Sequence, residues 1–317
     1  MPSASTTAKP SSSYEFDKAT KVHPLGVNDW GDAVFTGQLD KQWVLRGVIL
    51  GGYLTSMMLK TAMEHHPNRA PAALTAFFTS PARPGPCVIE IKDLKISKKG
   101  YSTVTVTLKQ LKKNNYQDKR PPVTVQEYNA KDYEMKCYTV ITLMGHNQIE
   151  TGPTIIHPDA AAALIDRSST TMQPVDLQMG GGEKTIVSLQ DLNAKNLTAT
   201  AESHHAFSFS DNRPINSIAL PYFADMYEHP LHMLADATYM RLQNTHAWKP
   251  TLQYEVQFKY PIMPKTTTQI LASFKVPHLI QGRFDMDGVL YTPDGKIVAT
   301  TRSERRDKVQ EQKKSKL

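Results

Sequence analysis

The longest apolar stretch of the chain follows the period of an α-helix. Residues 48–66 (VILGGYLTSMMLKTAMEHH) place apolar side chains at helical spacing, which predicts a helix of roughly five turns. Gly51 and Gly52 lie near the start of this helix, where glycine is unfavourable unless another group must approach the backbone closely. Tight packing against a strand and contact with a ligand would each explain the glycine pair.

Segments beyond this helix alternate between apolar and polar positions and are rich in β-branched residues, which predicts strands. In the first half they are Val34–Leu39, Ala73–Arg83, Cys87–Ser97, Ser102–Leu111 and Cys137–Met144. Gly85-Pro86 and Lys99-Gly100 supply turns, and the polar residues 112–133 form an insertion within a hairpin. A strand, a long helix and then antiparallel strands together predict a sheet curled round one central helix.

The second half repeats this order of elements. A strand-like segment, Ala201–Ser210, precedes an apolar segment, Ile215–Ala237, that is predicted to be helical. The strand-like segments that follow are Thr251–Tyr260, Thr267–Val276, Gly282–Tyr291 and Lys296–Arg302. The repeated order predicts an α+β fold with two copies of one unit, in which two antiparallel sheets each wrap round a long central helix.

The same pattern divides the chain into tails, folded units and a linker. We predict a disordered tail over residues 1–20, a first unit over 21–150, a linker over 151–200 with a short helix at Ala160–Arg167, a second unit over 201–305, and a basic tail over 306–317. The linker contains several prolines and three consecutive glycines, and nothing in it predicts a core.

Composition excludes several classes of protein. No apolar run approaches the ~20 residues that span a bilayer, and the first residues lack the apolar core of a signal peptide. The two cysteines, Cys87 and Cys137, cannot form a disulfide framework. The net charge of +7 is concentrated in residues 302–317 and 109–120, so we interpret it as a solvated tail and loop rather than a nucleic-acid surface. These features predict an intracellular protein without a membrane span.

The last three residues carry a targeting signal. Ser315, Lys316 and Leu317 form the C-terminal S-K-L that the peroxisomal import receptor recognises. The sequence therefore predicts a peroxisomal location, in a compartment that handles acyl-CoA chemistry.

One carboxylate lies in an unexpectedly apolar segment. Asp225 is in the middle of residues 220–230 (LPYFADMYEHP). A carboxylate in such surroundings costs free energy unless another group pairs with it or the protein uses it. Asp225 is therefore either a helix-end residue that caps or faces water, or a catalytic carboxylate.

Taken together, several short motifs resemble the double-hotdog acyl-CoA thioesterases of the type II or TesB-like group. The resemblance covers roughly residues 34–304. Its motifs are Gly51-Gly52-Tyr53-Leu54, residues 77–85 (FFTSPARPG), Ala224-Asp225, Thr251-Leu252 with Phe258 and Pro261, Gly282-Arg283-Phe284, Asp294-Gly295 and residues 298–301 (VATT). Their order and spacing, rather than any single motif, carry the resemblance.

The resemblance implies a site in the second half. Enzymes of this group hold a water against the thioester carbonyl with an Asp, a Thr and a Gln, which fall on Asp225, Thr251 and Ser303. Serine in place of glutamine is a departure, because its side chain is shorter and lacks the amide. Gly51 and Gly52 would help to bind the thioester, with a backbone N–H at the start of the helix as the oxyanion donor. The implied substrate is an acyl-CoA, no cofactor is needed, and a homo-oligomer is left open.

Alternatives remain at this point. Ser303 motivates a catalytically inactive acyl-CoA-binding protein. His229-Pro230-Leu231-His232 partly matches the loop of a hotdog enoyl-CoA hydratase or dehydratase, although the spacing from Asp225 differs. No G-x-S-x-G motif supports a serine hydrolase. The pairs His65-His66 and His204-His205 have no third ligand at metal-binding spacing, so the sequence predicts no metal site.

Overall fold

Antiparallel strands dominate the computed structural model. The structure describes residues 14–45, 47–112, 120–147, 150–156, 172–174, 185–191, 201–226, 250–262 and 266–306. Its helices are α1 (Glu15–Ala19), α2 (Gly51–His65) and α3 (Leu220–Phe223), and 3₁₀ turns cover Val125–Glu127, Ala130–Asp132 and Ser217–Ala219. The strands of the first half are β1 (Val22–Val27), β2 (Ala33–Leu39), β3 (Val44–Leu45), β4 (Val48–Ile49), β5 (Pro71–Phe78), β6 (Gly85–Lys95), β7 (Ser102–Leu111) and β8 (Tyr133–Leu143). The remaining strands are β9 (Met172–Pro174), β10 (Ile186–Asp191), β11 (Ala201–Phe209), β12 (Thr251–Phe258), β13 (Gln269–Val276), β14 (Leu279–Ile280), β15 (Arg283–Tyr291) and β16 (Ile297–Arg306).

These strands form one continuous sheet rather than two. Within the described residues the sheet has 14 strands in the order β1-β2-β6-β7-β8-β5-β12-β16-β15-β13-β11-β10-β9, with β14 paired to β15, and β3 and β4 form a separate hairpin. The two halves join where β5 pairs with β12, with Leu74 opposite Val256. The prediction of two separate sheets is therefore wrong. Joining them gives the exposed backbone edges of β5 and β12 hydrogen-bonding partners.

Helix α2 is the buried centre of the first half, as the sequence predicts. It packs against β1, β2 and β5–β8. Tyr53, Met57, Met58 and Leu59 are fully buried, which explains why the segment is apolar on nearly all sides. The helix begins at Gly51 rather than at residue 48, because Val48–Ile49 pairs with β3 instead.

The predicted second helix is short in the described part of the chain. Of the segment Ile215–Ala237, the described residues end at Met226, and they form the 3₁₀ turn Ser217–Ala219 followed by α3. Helix α3 packs against α2 rather than lying along a sheet of its own. A second long central helix is thus not present in the described residues, and the rest of the predicted helix lies outside them.

Two segments predicted to lack structure contribute to the fold. Within the predicted disordered tail, residues 15–19 form α1, because Phe16 is buried against Trp43 and Phe209 and Asp17 pairs with Arg213 at 2.7 Å. Within the predicted linker, β9 and β10 add to the sheet beside β11. The predicted helix Ala160–Arg167 and the targeting residues Ser315, Lys316 and Leu317 lie outside the described residues. Among the helices of the described chain, none is long and apolar enough to cross a membrane.

Candidate active site

The start of α2 meets the turn after α3, and Asp225 lies at the junction. The N-cap residue of α2, Leu50, has no side-chain acceptor, so the first N–H groups of the helix need another partner. Asp225 provides it, because its Oδ2 accepts a hydrogen bond of 2.7 Å from the Gly52 N–H. The carboxylate also interacts favourably with the positive end of the helix dipole. Asp225 therefore does cap a helix, but the helix belongs to the other half of the chain.

This close approach requires glycine at position 52 and leaves little room for a side chain at position 51. A Cβ atom at Gly52 would lie 2.6 Å from the Asp225 Cβ and 2.6 Å from the Pro221 carbonyl oxygen. At Gly51 a Cβ atom would lie 3.0 Å from the Phe78 ring and 3.2 Å from Asp225 Oδ2. The two residues predicted to bind substrate are thus packed directly against the predicted catalytic carboxylate.

Arg305 binds the other oxygen of this carboxylate. Its Nη2 donates to Asp225 Oδ1, and the two side chains are only 11% and 10% exposed. Charge-assisted hydrogen bonds of this kind are about twice as strong as neutral ones. Asp225 is consequently held from both sides, by a helix amide on Oδ2 and by a guanidinium on Oδ1.

Sequence reasoning missed Arg305, although a signal was available. The predicted last strand ended at Arg302, whereas β16 continues to Arg306. Side chains alternate along a strand, so Ser303 and Arg305 share one face while Arg302 and Glu304 share the other. The burial of Ser303 beside the exposed Arg302 shows this alternation. Extending the strand by three residues would have placed Arg305 on the same face as Ser303.

Ser303 and Thr251 join the site through Arg305. The Arg305 Nε donates to the buried Ser303 Oγ at 3.3 Å. Thr251 is the first residue of β12, and its Cα pairs with that of Arg305 next to a bulge in the register. Residues paired across antiparallel strands present their side chains on the same face. Arg305, which the family pattern did not include, thus binds Asp225 and Ser303 and lies opposite Thr251 in the sheet register.

A buried tyrosine fixes the backbone of the segment that carries Asp225. Tyr254 of β12 donates its hydroxyl to the Pro221 carbonyl oxygen at 2.7 Å. In the sheet register Tyr254 lies opposite Ser303 on one side and Ala76 on the other. The segment with Asp225 is therefore anchored to the strand that joins the two halves.

Neither cysteine of the chain is suited to act as the nucleophile. Burial raises the pKa of the Cys87 thiol to about 12, and it raises the pKa of the Cys137 thiol as well. Neither thiol supplies a thiolate at neutral pH. Burial also raises the pKa of Tyr222, and the nearby charge of Asp225 adds to the increase, so this phenol stays protonated. The partial hydratase motif, His229 to His232, lies outside the described residues.

Two family models match the chain, one in each half. The model described as the acyl-CoA thioesterase N-terminal domain matches residues 39–126. The model described as the acyl-CoA thioesterase C-terminal domain matches residues 152–304 and so includes Asp225, Thr251 and Ser303. A comparison with curated protein sequences gave no match.

Solved structures share the fold of the whole chain. A hot-dog-fold protein from Alicyclobacillus acidocaldarius is 20% identical and has a TM-score of 0.69, with 94% of this chain and 99% of that one covered. The acyl-CoA thioesterase II TesB2 from Mycobacterium marinum is 13% identical with a TM-score of 0.64, covering 95% and 99%. A tesB protein from Mycobacterium avium is 14% identical with a TM-score of 0.57, covering 93% and 99%. At this level of identity the similarities show a hot-dog fold.

Proposed function

The chain belongs to the acyl-CoA thioesterase family and is a thioester hydrolase, and we propose that Asp225 positions the water that attacks the thioester carbonyl. Matches to both domains of the family confirm the resemblance found in the sequence. The observation that carries the proposal is the position of Asp225. It is a nearly buried carboxylate from the second half, bound to the first turn of α2 in the first half and to Arg305 of β16.

The hydrogen bonds of Asp225 leave it able to accept a proton. A carboxylate offers about four lone-pair sites, and the Gly52 N–H and Arg305 use one on each oxygen. A remaining lone pair can accept a hydrogen bond from water and take its proton as the oxygen attacks the carbonyl carbon. General base catalysis of this kind contributes about 10²–10⁴-fold to a rate. Thr251, on the same face as Arg305, would orient that water with its hydroxyl.

Arg305 accounts for the departure at Ser303. A guanidinium carries five N–H donors in a planar fork. Its Nη2 donates to Asp225 and its Nε donates to Ser303, so the guanidinium lies beside the carboxylate, where its positive charge would stabilise the oxygen that becomes negative as the tetrahedral intermediate forms. We assign to Arg305 the donor role that the glutamine has in the family pattern, with Ser303 as the residue that orients it. Gly51, whose neighbour Gly52 already binds Asp225, would present its N–H to the thioester oxygen.

The proposal predicts turnover of acyl-CoA without an added cofactor. Purified full-length protein should release free CoA from a panel of acyl-CoAs of different chain length and branching, and a thiol-reactive chromophore would follow the release. Separate measurements of absorbance loss from an enoyl-CoA would detect hydration of the double bond. Acyl-CoA binding without CoA release, or hydration without release, would contradict thioester hydrolysis.

The C-terminal tripeptide supports a peroxisomal location and a role in peroxisomal acyl-CoA metabolism. Ser315, Lys316 and Leu317 match the S-K-L tripeptide that the import receptor binds at a C-terminus. A fluorescent protein fused to the N-terminus of the chain should co-localise with a peroxisomal marker, and deletion of the three residues should disperse it. A matched fusion with Ser303→Ala keeps the signal and should still co-localise. Unchanged localisation after the deletion would rule out this signal.

A further inference from the structure

A second cluster of chemically competent side chains lies at the opposite end of α2 from Asp225. His65 is the last residue of α2, His66 follows it, and Asp93 lies on the adjacent strand β6. One ligand atom from each residue lies within 4.8 Å of the other two. Because α2 has 15 residues, this cluster is about 20 Å along the helix axis from Gly52 and belongs to neither the carboxylate nor the glycine pair.

The end of the helix explains how two neighbouring histidines reach one carboxylate. Adjacent residues within a helix point in different directions, so helical spacing does not predict that these two side chains meet. His66 leaves the helical course, with φ −118° and ψ 74°, while its N–H still bonds the Ala62 carbonyl at 2.9 Å. The two imidazole rings consequently come together, with centroids 4.4 Å apart.

The distances suit a shared metal ion. The Asp93 Oδ1 lies 2.8 Å from His66 Nε2 and 3.7 Å from His65 Nε2. Tetrahedral Zn²⁺ with bonds of about 2.0–2.1 Å to nitrogen and oxygen separates its ligand atoms by about 3.3 Å. The two distances lie on either side of that value, so shifts of about half an ångström, which open the His66–Asp93 hydrogen bond, would satisfy both.

The environment of the cluster permits an ion to enter and keep a water ligand. The side chains of His65, His66 and Asp93 are 29%, 14% and 39% exposed, so the site is open on one side. Phe35 packs its ring edge-on to His65 and limits the orientations of that imidazole.

We propose that His65, His66 and Asp93 bind one divalent transition-metal ion, with Zn²⁺ as the best match to two imidazoles and one carboxylate. The mixed nitrogen and oxygen ligands suit Zn²⁺, whereas Mg²⁺ and Ca²⁺ prefer oxygen ligands alone. The ion would tie the C-terminal end of α2 to β6 and so stabilise the helix whose other end contacts Asp225. The role assigned to the ion is to join the two elements, and it does not depend on the function proposed above.

Metal titration of the full-length, tag-free protein tests this assignment. After treatment with a chelator, calorimetry with Zn²⁺ should show one site per chain, and Zn²⁺ but not Mg²⁺ should raise the unfolding temperature. His66→Ala and Asp93→Asn should each weaken Zn²⁺ binding by more than the about 10–100-fold that loss of an outer-shell partner costs. His23→Ala, which removes an exposed histidine from β1, is the matched control and should bind Zn²⁺ as the unchanged chain does.

Two results would overturn the proposal. One is the absence of saturable Zn²⁺ binding to the folded unchanged chain. The other is unaltered stoichiometry and affinity in both His66→Ala and Asp93→Asn, which would place any bound ion elsewhere. Circular dichroism of each variant verifies that it is folded, and a variant that fails to fold is replaced by His65→Gln, which keeps a polar side chain of similar length.

Discussion

Replacement of Asp225 by asparagine should lower kcat for acyl-CoA hydrolysis by about 10²–10⁴-fold, the usual contribution of a general base. Asparagine has nearly the same shape and retains one acceptor oxygen, but it cannot take a proton from water. Because the loss concerns the chemical step rather than substrate binding, KM should change much less than kcat. Steady-state kinetics with the best acyl-CoA of the panel would measure both values.

The same measurement needs a control for the change of charge and for folding. Asp287→Asn removes a carboxylate from β15 that is exposed and pairs only at the surface with Arg302, so its kcat should stay close to that of the unchanged chain. Circular dichroism and the unfolding midpoint would show that Asp225→Asn is folded under assay conditions. If Asp225→Asn is folded and its kcat stays within a few-fold of that of the unchanged chain, Asp225 is not the general base.

Replacement of Arg305 by alanine should lower the free energy of unfolding by about 3–5 kcal/mol. The change leaves the Asp225 carboxylate nearly buried without its cation, and an uncompensated buried charge costs that much. Urea denaturation followed by circular dichroism would give the value, and kcat should fall as well because the proposed oxyanion donor is lost.

A matched arginine lies three residues away on the same strand. Arg302 is 59% exposed and pairs with Asp285 and Asp287 at the surface, so Arg302→Ala should cost only about 0–1 kcal/mol. The double variant Asp225→Asn/Arg305→Ala should lose less stability than the sum of the two single variants. Each single change leaves one buried charge without a partner, whereas the double variant leaves neither charge. Strict additivity in that cycle, or equal costs for Arg302→Ala and Arg305→Ala, would show that the ion pair does not stabilise the fold.

Much of the fold follows from local patterns. Strand β7 has the bounds predicted from its alternation, Ser102–Leu111, and the long apolar segment forms α2. The way in which the halves join was not predictable, because alternation identifies the buried face of a strand but not its edge partner. β5 and β12 pair as a consequence of packing the two halves, and that pairing turns two expected sheets into one.

The candidate active site was likewise predictable only in part from the sequence. Asp225 was recognisable as a carboxylate in an apolar segment, and the family pattern pointed to Thr251 and Ser303. Arg305 escaped notice because the predicted strand stopped too early, and in sequence it looks like one of several charged residues in a basic tail. The pairing of Arg305 with Asp225 is seen only in the structure, where β16 extends past Ser303 and places the side chains of Ser303 and Arg305 on the same face of the strand.

The sequence by itself determined the order of the helix and strands, the family, and the residue types available for thioester hydrolysis, because each depends on local periodicity or on a short motif. Only the tertiary structure decided which groups bind the central carboxylate. Asp225 lies 173 residues from Gly52 and 80 from Arg305 along the chain. Contacts at such separations arise when whole elements pack to bury apolar surface, and no local pattern records them.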